Sequence, residues 1–375
     1  MTAIPGRPAL LRTINDRAAF ELLLVHGPLS RSRLAELTGL AQPTVTQLMG
    51  RLQAGGLVVP AGIHAGGRGP NAKLYAANPR TGYVAGVDVT PSRLSVAIAD
   101  ITGEVVAEYE MAGSRSRVRA AIEGAVGQVG LRVADLAHIV LGTPGAIDRH
   151  NGALWYAAHM AGWHHENVVD GLRAELGVSV DVENDVNLAA VAEMQTGAAR
   201  GVESFVVLWA GDGLGMAVVL DGRIRRGANG AAGEVSYLPI ADVPLSREIG
   251  RGGHGGFQRS AGGDAVLDLA RTRGIPGKTA AEAVRNADSG FLAELATRLA
   301  TGLAAVICVV DPELVVFSGE IPEAGGEALL AFIREELAEL AVAQPRLALS
   351  ALPGNGVRAG ALHSALTIAR RRLWA

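Results

Sequence analysis

The sequence predicts an α/β protein in two parts: a short, mostly helical head that ends in a β-hairpin, and a long body of strands and helices. Three observations lead there. Residues 1–78 hold eight basic side chains against three acidic ones, a balance of +5, whereas the remainder holds 26 against 34, a balance of −8 hidden inside a net −3. Turn and cap residues cut the head into three amphipathic segments followed by two strand-like runs. From residue 84 onward the pattern becomes strand, turn, strand, turn, strand. At 375 residues the chain exceeds what one hydrophobic core usually holds, so two or three domains are expected. A hydrophobic content of 49% with 19% charge excludes a disordered polymer.

In the head, Asn15 is placed to cap a first helix that carries Ala19, Leu22, Leu23 and Val25 on one face and stops at His26-Gly27-Pro28. Ser30 then caps a second helix, with Leu29 and Leu34 spaced as a hydrophobic staple and Gly39 as its end. Gln42-Pro43 opens a third helix with proline at its first position. Val45, Leu48, Met49 and Leu52 form its buried stripe, which leaves Gln42, Thr44, Thr46, Gln47 and Arg51 outside. Short polar side chains near the start of such a helix suit base edges in a major groove: Gln matches adenine, Thr meets the thymine methyl, and Arg reads guanine or grips phosphate. Strand-like runs 57–61 and 72–76 flank a glycine-rich tip holding Arg68, the pattern of a wing whose arginine enters a minor groove. Residues 1–78 are therefore expected to be a winged helix-turn-helix that binds double-stranded operator DNA.

The body, residues 80–375, opens with strands 84–89, 94–99 and 104–109, the start of an actin-like lobe. Gly142-Thr143-Pro144-Gly145, Glu183-Asn184-Asp185, Gly211-Asp212-Gly213-Leu214-Gly215, Asp221-Gly222 and Gly233-Glu234 follow in order. The glycine-rich 211–215 segment lies between two strands, so it does not fit a dinucleotide fingerprint, which needs a helix after it. Gly277-Lys278-Thr279 ends like a phosphate-binding loop but has Thr272 where the first glycine belongs; Thr279 and Glu282 read instead as a capping box.

The five motifs in this order make residues 80–375 resemble the ROK family of repressors and sugar kinases. The resemblance implies a two-lobed actin-like fold with sugar and nucleotide meeting in the cleft. It places the base of the kinases on Asp185 and sugar contacts on Asn184, Asp185, Glu234, Tyr237 and Gln258, with His159 as a further hydrogen-bonding candidate. A carboxylate beside a sugar hydroxyl suits that role, and an amide can both donate and accept.

The chain departs from its family at the chemistry. The His of the kinases falls on Tyr237, their zinc cysteines on Ile249, Arg251 and Gly256, and their last Glu on Gln258. No thiolate remains, so no zinc site is expected. In the first phosphate hairpin Thr90-Pro91 replaces two glycines, which adds a branched side chain and removes an N–H. In the second, Asp212 brings a negative charge toward a phosphate, and Ser318-Gly319-Glu320 stands where the kinases have an adenosine turn. The expectation is a regulator, in the repressor branch, whose kinase-like body is not an enzyme, needs no cofactor, senses a sugar or short oligosaccharide, and assembles as a homodimer or a dimer of dimers. Two readings compete with it: a regulator without a small-molecule effector, and an active sugar kinase.

Localisation follows from negatives. No apolar run is expected to approach the roughly 18 residues of a membrane span, and residues 1–16 lack the apolar region of a signal peptide. A cytoplasmic protein without a membrane partner is expected. The single cysteine, Cys308, is expected to be a buried thiol.

Overall fold

A computed structural model describes residues 8–64, 72–113, 115–147, 154–155, 168–241, 243–244 and 255–374. The head begins with α1 (Pro8–His26), which buries Ala19, Phe20 and Leu23 and ends at Gly27 in the left-handed region. Asn15 therefore lies inside α1 and does not cap it; the helical period runs back through Leu10, Leu11 and Ile14, all exposed. A two-residue strand β1 (Leu29–Ser30) leads into α2 (Arg31–Thr38), where Ser30 Oγ accepts from the Arg33 N–H at 3.2 Å and Gly39 closes the helix at φ 69°. Leu29 and Leu34 are both buried, as a staple requires.

The third helix, α3 (Gln42–Ala54), starts one residue earlier than expected, so Pro43 takes its second position. It buries Val45, Leu48, Met49 and Leu52. The wing is β2 (Val58–His64) paired antiparallel with β3 (Ala72–Ala77), and β1 adds to the other edge of β3 through Leu29 opposite Tyr75. The Arg31 guanidinium stacks 5.1 Å above the Tyr75 ring and ties α2 to the wing. Asn78 then anchors the junction: its amide donates to Gly56 O at 2.8 Å while its oxygen accepts from the Arg80 N–H.

The body contains two five-stranded sheets of one design. The first is built from β4 (Tyr83–Val89), β5 (Arg93–Asp100) and β6 (Val105–Ala112), then α4 (Val118–Gly127) and β7 (Leu136–Thr143). A short antiparallel pair, β8 (Ala146–Ile147) with β9 (Leu154–Trp155), precedes α5 (Val168–Leu176), β10 (Val180–Asn184) and α6 (Asp185–Thr196). Its strand order is β10-β7-β4-β5-β6, with β4–β6 an antiparallel meander and β7 and β10 parallel to β4. The second sheet repeats this with β11 (Phe205–Ala210), β12 (Leu214–Leu220) and β13 (Arg223–Ile224) as the meander. Helices α7 (Gly256–Ala261), α8 (Gly263–Thr272), α9 (Ala280–Arg285) and α10 (Ser289–Val310) follow. Then come β14 (Leu314–Ser318), α11 (Glu320–Leu340) and β15 (Arg346–Leu349), giving the order β13-β12-β11-β14-β15. The last helix, α12 (Gly356–Arg372), returns to the first sheet and packs its backbone on β4, where Gly86 leaves no room for a side chain beside Arg358 O and Leu362 N.

Thr279 caps α9 by accepting from the Glu282 N–H at 3.2 Å, and the Glu282 carboxylate takes its return bond from the Lys278 N–H. Two expectations are corrected in α10. This 22-residue helix is long and apolar enough to cross a membrane by length and composition, although Phe291, Leu295, Leu299, Leu303 and Ile307 are buried in the second-lobe core. Cys308 is exposed, because it falls on the outward face beside Val309.

Candidate functional site

The head presents one polar surface. Gln42, Thr44, Thr46 and Gln47 are exposed along the start of α3 opposite its buried stripe. Arg51 is exposed as well, yet its guanidinium forms a fork on Asp16 of α1, with Nε to Oδ2 at 3.0 Å and Nη2 to Oδ1 at 2.5 Å. That bond is the chief reason the Arg51 pKa is raised. Arg51 is thus held by Asp16 in the DNA-free chain. Arg68 lies outside the described residues.

In the body, β10 ends beside the turn after β7, with Asn184 opposite Thr143. Asn184 caps α6, its Oδ1 accepting from the Asn187 N–H at 3.0 Å, and its amide donates to Gly145 O at 3.1 Å. One side chain thus locks the Gly142–Gly145 turn to the helix that carries Asp185. Asp185, the first residue of α6, accepts from the Val186 N–H at 2.8 Å. Burial pushes its carboxyl up to about 6, and the Asp88 carboxylate adds to the rise. From the other lobe comes Glu234, directly after Gly233, whose φ of 96° and contact with Met216 O demand glycine. Burial, then the Asp185 charge, raise Glu234 to about 7. Two carboxyls from opposite lobes therefore share one partly desolvated space, and among the described residues neither forms an ion pair.

Tyr237 ends the 3-10 turn three residues after Glu234, half-buried, with its N–H donating to Glu234 O. Gln258 stands elsewhere. It is buried in α7, where its Oε1 accepts from the Leu214 N–H at 2.7 Å and its Nε2 donates to Asp212 O at 2.8 Å. This amide sews up the second glycine hairpin, so the expected sugar contact at Gln258 is corrected to a structural one. His159 falls outside the described residues. Sequence reasoning also missed Arg226, whose Nε donates to Glu183 Oε2 at 2.6 Å and ties the glycine loop of one lobe to β10 of the other.

The two hairpins that the ROK resemblance assigns to phosphate bond within the protein. Asp88 is 5% exposed and accepts from Asn355 Nδ2 at 2.7 Å and Arg93 Nη2 at 3.4 Å. Thr90 closes the β4–β5 turn on itself, its hydroxyl donating to Arg93 O and accepting from the Arg93 N–H. At the second hairpin the Glu320 carboxylate lies so close over Gly211 that a side chain there would run into it.

The sequence profile of the ROK family matches residues 84–369. The chain belongs to the ROK family. It is 24% identical over 360 residues to the xylose repressor of Caldicellulosiruptor bescii, covering 88% of each chain. It is also 26% identical over 293 residues to a glucokinase of Halalkalibacterium halodurans, covering 71% of this chain and 88% of that one. The fold of a ROK family transcriptional regulator, a homolog of the E. coli MLC protein, superposes with a TM-score of 0.75 at 21% identity over 97% of this chain and 98% of the other.

Membership in ROK, whose members include repressors and kinases, makes the departures informative. Of the three cysteine positions of the ROK zinc site, Gly256 opens α7 and the other two, Ile249 and Arg251, lie outside the described residues. Isoleucine, arginine and glycine provide no ligand atom for zinc, so these residues do not fit the ion.

Proposed function

We propose that this ROK protein is a DNA-binding transcriptional regulator, a repressor of carbohydrate-related genes, whose body senses a neutral sugar or short oligosaccharide and is not an enzyme. The supporting observation is that head and cleft are one packed body. A single apolar cluster joins Ala19, Phe20 and Leu23 of α1 with Val84, Ala361, Leu362, Leu366 and Ala369 around α12. At one end of α12, Trp374 meets Phe20 edge-on at 5.8 Å between ring centroids; at the other, Asn355 holds Asp88 beside the cleft. A helix is a stiff rod, so a change in the cleft that favours one lobe arrangement reaches the head as displacement.

Residues 1–78 act in this reading as the reader and residues 80–375 as the sensor and dimer scaffold. A two-fold homodimer would set two heads on half-sites near one helical turn apart, in the cytoplasm where operator DNA lies. The xylose repressor relative supports the reader; the acidic cleft supports a neutral ligand, because Asp185 and Glu234 accept from hydroxyls and repel a phosphate. Asn184, next to Asp185, and Tyr237, three residues after Glu234, are the further contacts in this proposal. Kinase turnover is opposed by the occupied phosphate hairpins.

The test is a binding screen of neutral mono- and oligosaccharides, sugar phosphates and nucleotides on the full chain, followed by operator titration with the best hit. The expected result is a neutral carbohydrate that shifts operator affinity and is lost with Asp185→Ala. Sugar-dependent ATP consumption abolished by Asp185→Asn, or binding of phosphorylated sugars alone, would overturn the proposal.

A further inference from the structure

The two lobes are joined by two crossings of the chain, residues 197–204 from α6 to β11 and residues 350–355 from β15 to α12. One side chain touches both. Glu193, in the last turn of α6, is fully buried, and its two carboxylate oxygens are divided between the crossings. Oε2 accepts from the Ala198 N–H at 2.7 Å in the first; Oε1 accepts from the Ser350 hydroxyl at 2.5 Å at the start of the second. Ser350 is fixed in turn to the end of β14, its N–H donating to Phe317 O at 2.8 Å, and its Oγ also receives the Leu352 N–H.

The surroundings are shaped for this carboxylate. Gly197 has no side chain because one would occupy the place of the Glu193 carboxyl. Among the described residues no basic side chain forms an ion pair with Glu193, so a buried acid is retained where a neutral residue would avoid the desolvation cost. Burial accordingly raises its pKa, against the bonds from Ser350 and Ala198. Glu193 also shares a helix with Asp185, eight residues away, about 12 Å along the axis at 1.5 Å per residue. Glu234 stands on the other lobe.

We infer that Glu193 is the hinge pin of the two-lobed body, a positioning residue that fixes both crossings to the end of α6 and thereby sets the separation of Asp185 from Glu234. A hinge bonded at one point to both strands of chain permits rotation of the lobes while preventing the crossings from sliding independently. The inference concerns the sensor of the proposed function and rests on that reading only for its ligand.

The experiment uses the full chain with Glu193→Ala, Glu193→Gln and Ser350→Ala. Glutamine keeps both bonds, its oxygen accepting from the Ala198 N–H and its amide donating to Ser350 Oγ; Ser350→Ala removes only the link to the second crossing. Solution X-ray scattering without ligand should show a larger radius of gyration for Ser350→Ala and Glu193→Ala and the wild-type value for Glu193→Gln. With the carbohydrate found by the binding screen, affinity should fall about tenfold in the two alanine variants, equivalent to about 1.4 kcal/mol, and the sugar-induced shift in operator affinity should shrink. Glutamine should restore all three. If Glu193→Ala fails to fold, Ser350→Ala decides alone. A Ser350→Ala protein with wild-type scattering would overturn the inference, as would a Glu193→Gln protein as defective as the alanine variant. Should no carbohydrate bind the wild type, the sensor reading fails and the scattering still judges the hinge.

Discussion

The two sides of the cleft treat their polar groups in opposite ways. On the phosphate side Asp88 is bonded by Asn355 and Arg93, Thr90 closes its own turn, Gln258 sews Asp212 to Leu214, and Glu320 covers Gly211. On the side that the proposal gives to the sugar, Asp185 and Glu234 are desolvated, and among the described residues no cation pairs with them. Buried polar groups find partners inside a protein unless something else supplies them. On the proposed reading the ligand therefore belongs to the side whose carboxyls have no charged partner among the described residues. Each side draws side chains from both lobes, so the difference lies in those side chains and not in which lobe supplies them.

The strongest way to break that contrast is to remove one acid from each side. A hydrogen bond to a charged group contributes about 1.5–3 kcal/mol, so Asp185→Ala or Glu234→Ala should weaken carbohydrate binding by about 10- to 100-fold. Asp88→Asn, which keeps an acceptor for Asn355, should change it less than about twofold. Calorimetric titration reads both. Equal losses on the two sides would mean that the ligand spans the whole cleft.

A second prediction concerns pH. Asp185 and Glu234 have native pKa values of about 6 and about 7, above their ordinary values, so the folded chain holds more protons than the unfolded one between pH 4 and 7. Their contribution to stability is complete below the ordinary carboxylate range and is lost as pH rises through 6 and 7. Wild-type melting temperature should therefore fall from pH 5 to pH 8. Glu234→Gln should flatten that fall and gain on the order of 1–3 kcal/mol at pH 8, since a tenfold change in proton affinity is worth about 1.4 kcal/mol and the two acids titrate as a pair. Unchanged pH dependence in Glu234→Gln would show that the Glu234 carboxyl is not raised in the folded chain.

What was legible in the sequence follows the range of the interaction. The staple at Leu29 and Leu34, the cap at Ser30, the stripe on α3 and the wing strands are local, and each stands where spacing put it. The boundary error at Asn15 arose because an asparagine capping signal also fits the interior of a helix whose exposed face is apolar. In the cleft the motifs pointed to Asp185 and Glu234, and the charge of the first acts on the second. The partners of Arg51, Gln258 and Glu193 lie 35, 44 and 157 residues away, and no spacing rule connects residues at such separations. The exposed Cys308 is the remaining miss: an apolar stretch says that a helix has a buried face but not which residue turns outward.

In the head, Gln47 is exposed on α3 and Arg51 is bonded to Asp16. Gln47→Ala should lower affinity for a mapped operator by about 1–3 kcal/mol and leave random duplex nearly unaffected, the signature of a base contact. Equal loss on both duplexes would reduce Gln47 to a backbone contact.

The smallest effect expected is at Asp16. Its ion pair with Arg51 is partly exposed, with 39% of the Arg51 side chain and 15% of the Asp16 side chain accessible, so breaking it should cost the head only about 0–1 kcal/mol of stability. Binding distinguishes two roles for the arginine. If Asp16 merely competes with DNA, Asp16→Ala frees a cation, and affinity for all duplexes should rise slightly, with a steeper salt dependence. If Asp16 aims the guanidinium at a base, Asp16→Ala should instead lose operator preference much as Arg51→Ala does, and the double variant should lose no more than either alone. The bidentate geometry favours aiming, because a fork held at Nε and Nη2 keeps the guanidinium plane fixed while Nη1 takes no part in the fork. Operator and random-duplex titrations of the two single variants and the double variant, at two salt concentrations, separate these outcomes; additive losses would exclude the aimed arrangement.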